Sequence, residues 1–270
     1  MGLLSDLKTL YHVLMRPIRG ADHAARMESF YAPQAAAYDA SRRRLLPGRE
    51  ELYQSIEVPE GGVWVDMGGG TGANLECLER KGVGCPFRER PAGCVAQETP
   101  DPFSAKIAAL GHVYVVDLSP SMLAIARGRI QRHGWQNVTA IEADATTFRP
   151  PAGSADVVTF SYSLTMIPDW FAALENARAI LKPGGLIGVV DFYVSRKHPA
   201  AGLARHGWFA RTFWPIWFAG ANVFPSPDHA AFLHSRFEPV RFCEGCAKVP
   251  YLPLLRVPYY IFVGRKPPSW

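Results

Sequence analysis

Aspartates close four apolar runs in this chain: Asp66 in VWVDM, Asp117 in HVYVVDL, Asp144 in VTAIEAD and Asp191 in GLIGVVDFYV. Directly after the first run, Gly68, Gly70 and Gly72 follow one another in a G-x-G-x-G array. A carboxylate accepts hydrogen bonds from hydroxyl and amino groups, and glycine lets a ligand approach bare backbone. Acids and glycines alternating in this way predict a pocket for a small polar ligand rich in donors. The dinucleotide fingerprint is spaced G-x-G-x-x-G, so this bend is not laid out for a pyrophosphate.

The stretches after each acid narrow the ligand. Asp117 is followed by Leu118 and then by Ser119, Pro120 and Met122, which open a helix; a carboxylate there accepts both hydroxyls of a ribose. Asp144, followed by Ala145, is placed to accept from an adenine amino group. The glycine bend suits an amino-acid moiety. An adenosyl sulfonium, S-adenosyl-L-methionine, carries all three parts, and Tyr38, Asp66, Asn74 and Ser161 complete the expected binding set with Gly68, Gly70, Gly72, Asp117, Leu118, Met122, Asp144 and Ala145.

The elements that must position these residues are legible as alternation. Short β-rich runs at 63–67, 112–118, 138–144, 155–164 and 185–194 are separated by helical patterns such as 120–133 and 169–181. Strand and helix in alternation predict a mostly parallel sheet covered by helices on both faces. Such sheets bind ligands beyond the carboxyl ends of their strands, where the acids lie. Residues 81–105, rich in proline and glycine, break the alternation and read as an inserted loop. Leu3, Leu4, Leu7, Leu10, Tyr11 and Leu14 share one helical face, so residues 3–15 read as an amphipathic helix that either packs on the domain or lies in a bilayer interface.

Composition sets outer bounds. A chain of 270 residues with 48% hydrophobic and 20% charged residues buries a sizeable core. Its net charge of +5 points to an anionic partner, nucleic acid or membrane. The one basic cluster, SRRRLLPGR at 41–49, lacks the extended patch with stacking aromatics that polynucleotide binding needs, so no nucleic acid is expected. No run reaches the ~20 apolar residues of a membrane span. Five cysteines without a secretory signal indicate reduced thiols and a cytoplasmic chain, and Cys243-x-x-Cys246 lacks the second pair that a zinc site requires, so no metal is expected.

With VDMGGGTGANL, VVDLSPSML, EADATTF and LKPGGLIGVV in order, residues 60–195 resemble the class I S-adenosylmethionine-dependent methyltransferases. That resemblance implies a Rossmann-like sheet, an N-terminal helical lid over 1–58, a cofactor-binding domain over 59–270 and a substrate- or membrane-facing insertion over 196–235. The insertion at 81–105 departs from it by doubling the usual gap of about 20 residues between glycine bend and ribose acid. A narrower resemblance flanks the core: residues 22–49, FWPIWF at 213–218, SPDH at 226–229 and 248–266 look like the diacylglyceryl-homoserine N-methyltransferases of betaine-lipid synthesis. It implies three successive N-methylations of diacylglyceryl-homoserine at an anionic membrane surface, with the enzyme that makes the homoserine lipid as a partner. The alternative acceptor is another lipid, such as phosphatidylethanolamine, or a quinone precursor.

Methyl transfer from a sulfonium to an amine is an in-line displacement that demands alignment and a free lone pair more than a strong base. A site that ends with a quaternary ammonium is best walled by aromatic faces. Tyr31, Tyr38, Tyr162 and Tyr193 are the candidate walls, and Tyr162, Tyr31 and Asp191 the expected catalytic residues. The aromatic stretch from Trp208 to Phe224, with Arg205 and Arg211 nearby, is expected either to pack as a helix hairpin or to dock on lipid headgroups.

Overall fold

The computed structural model describes residues 19–35, 38–39, 45–78, 105–249 and 252–268. The expected amphipathic helix at 3–15, most of the basic cluster and the insertion up to 104 lie outside these residues.

Five strands run parallel: β1 (Val63–Met67), β2 (His112–Asp117), β3 (Val138–Glu142), β4 (Ala155–Ser161) and β5 (Leu181–Phe192). Two more, β6 (Glu238–Val249) and β7 (Leu252–Arg265), pair antiparallel with each other, and β7 pairs antiparallel with β5. The order across the sheet is β3-β2-β1-β4-β5-β7-β6. The chain moves outward from β1 to β3 and then returns to lay β4 on the other side of β1. That reversal is the switch point at which a crevice opens beyond the carboxyl ends.

Both faces of the sheet are covered, which is why its inner strands are continuously apolar. In β1, Trp64 points to one face and Val65 and Met67 to the other, all buried. The Trp64 face is packed by α2 (Arg49–Ser55), whose Leu52 and Tyr53 are fully buried, and by α6 (Trp208–Ala219) through Trp214. The opposite face is packed by α5 (Trp170–Ile180) and α7 (Asp228–Arg236) through Leu174, Ala177 and Leu233. The aromatic stretch therefore does not fold as a helix hairpin; α6 and α7 lie on opposite faces.

The other helices are α1 (His23–Tyr31), the short α3 (Ala105–Ala109) and α4 (Pro120–His133). Helix α4 shows how locally the sequence sets its ends: the Ser119 hydroxyl caps the Met122 amide, Pro120 opens the first turn, and Gly134 closes it at φ 66°. Helix α1 begins with Asp22 accepting from the Ala25 amide at 2.8 Å.

Two clamps hold the N-terminal segment to the core. Glu28 accepts from the Ser119 hydroxyl at 2.6 Å and from the Ser121 hydroxyl. Asp39 accepts from Thr71 at 2.6 Å and pairs at 2.5 Å with the buried Arg129, which also holds Glu76 at 2.7 Å and the Thr71 carbonyl. A buried guanidinium needs such partners, because removing one leaves an uncompensated charge.

Candidate active site

A cavity of about 300 Å³ opens at the switch point, a size within the range of small-molecule pockets. Its floor is built from the loops that leave four strands: Gly68 and Gly70 after β1, Asp117 and Leu118 after β2, Asp144 and Ala145 after β3, and Ser161, Tyr162 and Ser163 around the end of β4. Its cover is α1, which presents His23, Met27 and Tyr31 at helical spacing. Eight residues of helix advance about 12 Å, so this stripe crosses the length of a nucleoside.

The glycine bend is a cradle that side chains would fill. Gly68 has φ 68° and a Cβ there would lie 2.4 Å from the Ser163 Cβ. Gly70 has φ 56° and its amide donates to Asp117 Oδ2 at 2.9 Å. Asp117 also accepts from the Ser119 amide at 2.9 Å, which fixes the carboxylate with lone pairs left over for a ligand. Burial pushes the Asp117 carboxyl up to about 6, with hydrogen bonds from Ser119, Gly70 and Leu118 opposing it. Asp144 takes the Thr146 amide and hydroxyl on a single oxygen, both at 2.7 Å.

Two polar atoms in the lining are buried and lack partners: the Ser161 hydroxyl and His23 Nδ1. Orphaned polar atoms on residues that line a cavity call for a physical explanation, and a ligand that satisfies them supplies one. S-Adenosylmethionine fits this set. Gly68 and Gly70 would lie against its amino-acid part, Asp117 would accept from the ribose, and Asp144 would face the adenine. The group supplies an electrophilic methyl on sulfur; the protein supplies position and exclusion of water.

The expected binding set divides. Tyr38, Gly68, Gly70, Asp117, Leu118, Met122, Asp144, Ala145 and Ser161 all line the cavity. Asp66, Gly72 and Asn74 do not. Asp66 is fully buried on the Trp64 face, where it accepts from Tyr53 at 2.5 Å, Thr159 at 2.8 Å and Asn74 at 3.0 Å. Those donors engage both of its oxygens, so it and Asn74 brace the bend from below. Gly72, at φ 70°, turns the chain beside Ala126 of α4.

The expected catalytic set changes more. Tyr31 lines the cavity, stacks edge-on with Tyr38 at 5.6 Å and donates to the Met166 sulfur at 2.9 Å. Tyr162 also lines it, with φ 56°, a left-handed conformation unusual for tyrosine. Its hydroxyl donates to the Pro47 carbonyl at 2.5 Å, and burial together with Asp191 raises its pKa well above 10. Tyr162 is therefore a wall and not a proton acceptor. Asp191 lies outside the cavity, fully buried, accepting from the Thr165 amide at 3.1 Å, the Thr165 hydroxyl at 2.8 Å and the Phe192 amide at 2.8 Å. Burial raises it to about 7, and its work is to anchor the turn Leu164–Met166. Tyr193 is also removed from the site, since its hydroxyl donates to Glu244.

Several lining residues had no signal in the motifs. His23 and Met27 share a helical face with Tyr31, visible only once α1 is known to cross the cavity. Met166, Ile167, Pro168 and Asp169 form the apolar end, with Asp169 its carboxylate. Cys243 and Cys246 lie in β6 opposite Ile261 and Pro258, and among the described residues no three metal-ligating side chains converge.

Comparison with known proteins agrees with this geometry. A family described as a methyltransferase domain matches residues 102–185, from the end of the insertion into β5. A ubiquinone/menaquinone biosynthesis C-methyltransferase from Hahella chejuensis is 26% identical over 58% of the chain and 56% of its own length. A demethylmenaquinone methyltransferase from Listeria welshimeri is 33% identical over 30% of the chain and 34% of its own length. The chain thus spans about a third to a half of these curated relatives. Among solved structures, the putative methyltransferase complex with the Haloferax volcanii Trm112 activator superposes with a TM-score of 0.60 at 16% identity, over 88% of this chain and 97% of that one. The fold is that of the class I methyltransferases, and residues 102–185 match a methyltransferase domain. The chain itself is similar to the quinone C-methyltransferases in that domain, at the identities given.

Proposed function

We propose that this chain transfers methyl groups from S-adenosylmethionine to the polar head of an amphiphilic acceptor, and that the head is the amine of diacylglyceryl-homoserine, methylated three times to the trimethylated betaine lipid. The observation that carries the choice of amine is the acceptor end of the cavity. Tyr31 and Tyr38 present an edge-packed aromatic pair, Asp169 stands at the exposed rim, and among the described lining residues none is Lys or Arg. Aromatic faces and a carboxylate attract an ammonium ion at each stage of methylation. With Asp191 sequestered, Asp169 is the carboxylate placed to take the amine proton, directly or through water. Met27, Met166, Ile167 and Pro168 supply the apolar wall along which a lipid chain leaves. The flanking segments that resemble the homoserine-lipid N-methyltransferases support the same reading.

A second reading, C-methylation of a quinone precursor, has the curated relatives in its favour. It needs a phenolate, and among the described lining residues no Lys or Arg stands at the Asp169 end to hold one. The two separate in one assay: purified protein, methyl-labelled S-adenosylmethionine, and vesicles carrying either diacylglyceryl-homoserine or a demethylated quinone precursor, read by mass spectrometry. Three successive methyl gains on the homoserine lipid are expected. Label on the quinone ring alone would establish the second reading in its place.

A further inference from the structure

Helix α6 buries one side and leaves the other bare. Trp214 is buried, its indole N–H donating to the Arg256 carbonyl at 3.0 Å, and Phe218 stacks on Phe192 at 4.9 Å. On the opposite side Trp208 is 73% exposed, Phe209 55% and Ile216 71%. Positions 208, 209, 212 and 216 share a helical face, so this is a stripe and not scattered exposure. A helix buried through Trp214 and Phe218 gains nothing for its fold by presenting tryptophan, phenylalanine and isoleucine to water.

We infer that this stripe is a docking surface for an anionic lipid bilayer, and that it delivers the acceptor to the cavity. The commitment to a bilayer rests on charge: the exposed Arg205 lies in the segment that leads directly into Trp208, and the exposed Lys197 precedes it, in a chain of net charge +5. Tryptophan prefers the headgroup boundary and arginine the anionic headgroup, so the two residue types engage one surface at one depth.

Continuity with the active site makes docking useful to catalysis. The turn that leaves α6 packs Ala221 and Val223 against Met27, Phe30 and Met166, the cluster that roofs the acceptor end. The Phe224 amide donates to the Thr165 carbonyl at 2.7 Å, and the Phe224 side chain is 55% exposed. An acyl chain entering beside Phe224 thus reaches Met166 and Tyr31 by apolar contact. This deepens the acceptor reading given above and rests on it for the delivery step, while the docking step stands alone.

The experiment is vesicle flotation of the full chain, with phosphatidylcholine vesicles alone or mixed with phosphatidylglycerol, for the wild type and for the variant W208S/F209S/I216S. The wild type is expected to float with the anionic vesicles, less so as salt rises, and the variant to bind at least about tenfold more weakly, since three apolar side chains no longer leave water. Circular dichroism and S-adenosylmethionine affinity, which do not involve these exposed side chains, report that the variant is folded. Turnover on vesicle-borne acceptor should fall with flotation while turnover on a short-chain, soluble acceptor does not. Wild-type protein that stays soluble with anionic vesicles, or a variant that floats equally well, overturns the inference. So does a wild-type dimer that the three substitutions dissociate, which would assign the stripe to a second copy. Flotation that persists while neither acceptor is methylated leaves docking in place and removes the acceptor reading instead.

Discussion

The Asp117 carboxylate should make cofactor affinity depend on pH in a defined direction. Ribose hydroxyls donate, so the ionised acid is the binding form, and binding must pull its pKa down. In the free protein burial holds that pKa at about 6. Affinity should therefore be level above neutrality and fall about tenfold per pH unit once pH drops well below that value, because each unit leaves a tenth as much carboxylate. The substitution D117N removes the charge and turns an amide N–H toward the amides of Gly70 or Ser119, which now donate to that oxygen. Two charge-assisted hydrogen bonds to the ribose are lost; at the low end of their worth this is about 3 kcal/mol, or roughly a hundredfold in affinity. Titration calorimetry with S-adenosylmethionine or its demethylated product from about pH 5 to about pH 8 gives the test. His23 titrates nearby, its pKa lowered by burial and by Arg26, so H23Q is the control. If the slope disappears in H23Q and survives in D117N, or if D117N binds as wild type does, the assignment of the ribose to Asp117 is wrong.

The remaining predictions concern the supports. G68A drives a Cβ to 2.4 Å from Ser163 at φ 68°, and should cost about 2 kcal/mol or more, lowering Tm by roughly 4–8 °C and abolishing cofactor heat in the same calorimeter. E28A releases the Ser119 and Ser121 hydroxyls from α1; hydrogen exchange across residues 23–31 should speed up, and cofactor affinity should weaken by about tenfold as the cover loosens. Y162F leaves the Pro47 carbonyl unpaired and should cost about 1–2 kcal/mol in denaturant unfolding with turnover nearly unchanged; a large fall in turnover would return the Tyr162 hydroxyl to the chemistry. Asp191, raised from 3.8 to about 7 by burial, favours the folded state when protonated, so its contribution is complete below 3.8 and is lost as pH rises through about 7. Melting temperature should fall over that window, and D191N should flatten the fall.

What the sequence disclosed was whatever depends on local order. Glycines at positive φ, acids at or near strand ends, and Ser119-Pro120 opening α4 are each set by a few adjacent residues, and they fell where the spacing put them. The β6–β7 hairpin was not read, because YLPLLRVPYYIFVG carries three prolines or glycines among its apolar residues and its pairing partner β5 lies more than fifty residues earlier. Asp66 and Asp191 were misplaced for a shared reason. Each stands at a strand's carboxyl end beside residues that do line the cavity, but a strand alternates its faces, and only the packed structure tells which neighbour turns toward the ligand.

That same alternation explains why two buried carboxylates are retained at a site they do not touch. Asp66 ties Tyr53 of α2 and Thr159 of β4 to the strand that carries the glycine bend, and Asp191 ties the turn bearing Met166 to β5. Each sits one layer beneath a loop whose backbone must hold a left-handed conformation, Gly68 and Gly70 above the first and Tyr162 beside the second. A loop with strained backbone keeps its shape only where its surroundings over-determine it, and a buried carboxyl group with three donors does so with more direction than apolar packing, since displacing any donor strands a buried polar group. The acceptor end is held differently, mainly by the apolar packing of Met27, Phe30 and Met166, with the Tyr31 hydroxyl donating to the Met166 sulfur. The cofactor end is thus fixed by hydrogen bonds and the acceptor end mainly by apolar contacts, an arrangement that suits the proposed function, in which the donor is unchanging and the acceptor grows by a methyl group at each turn.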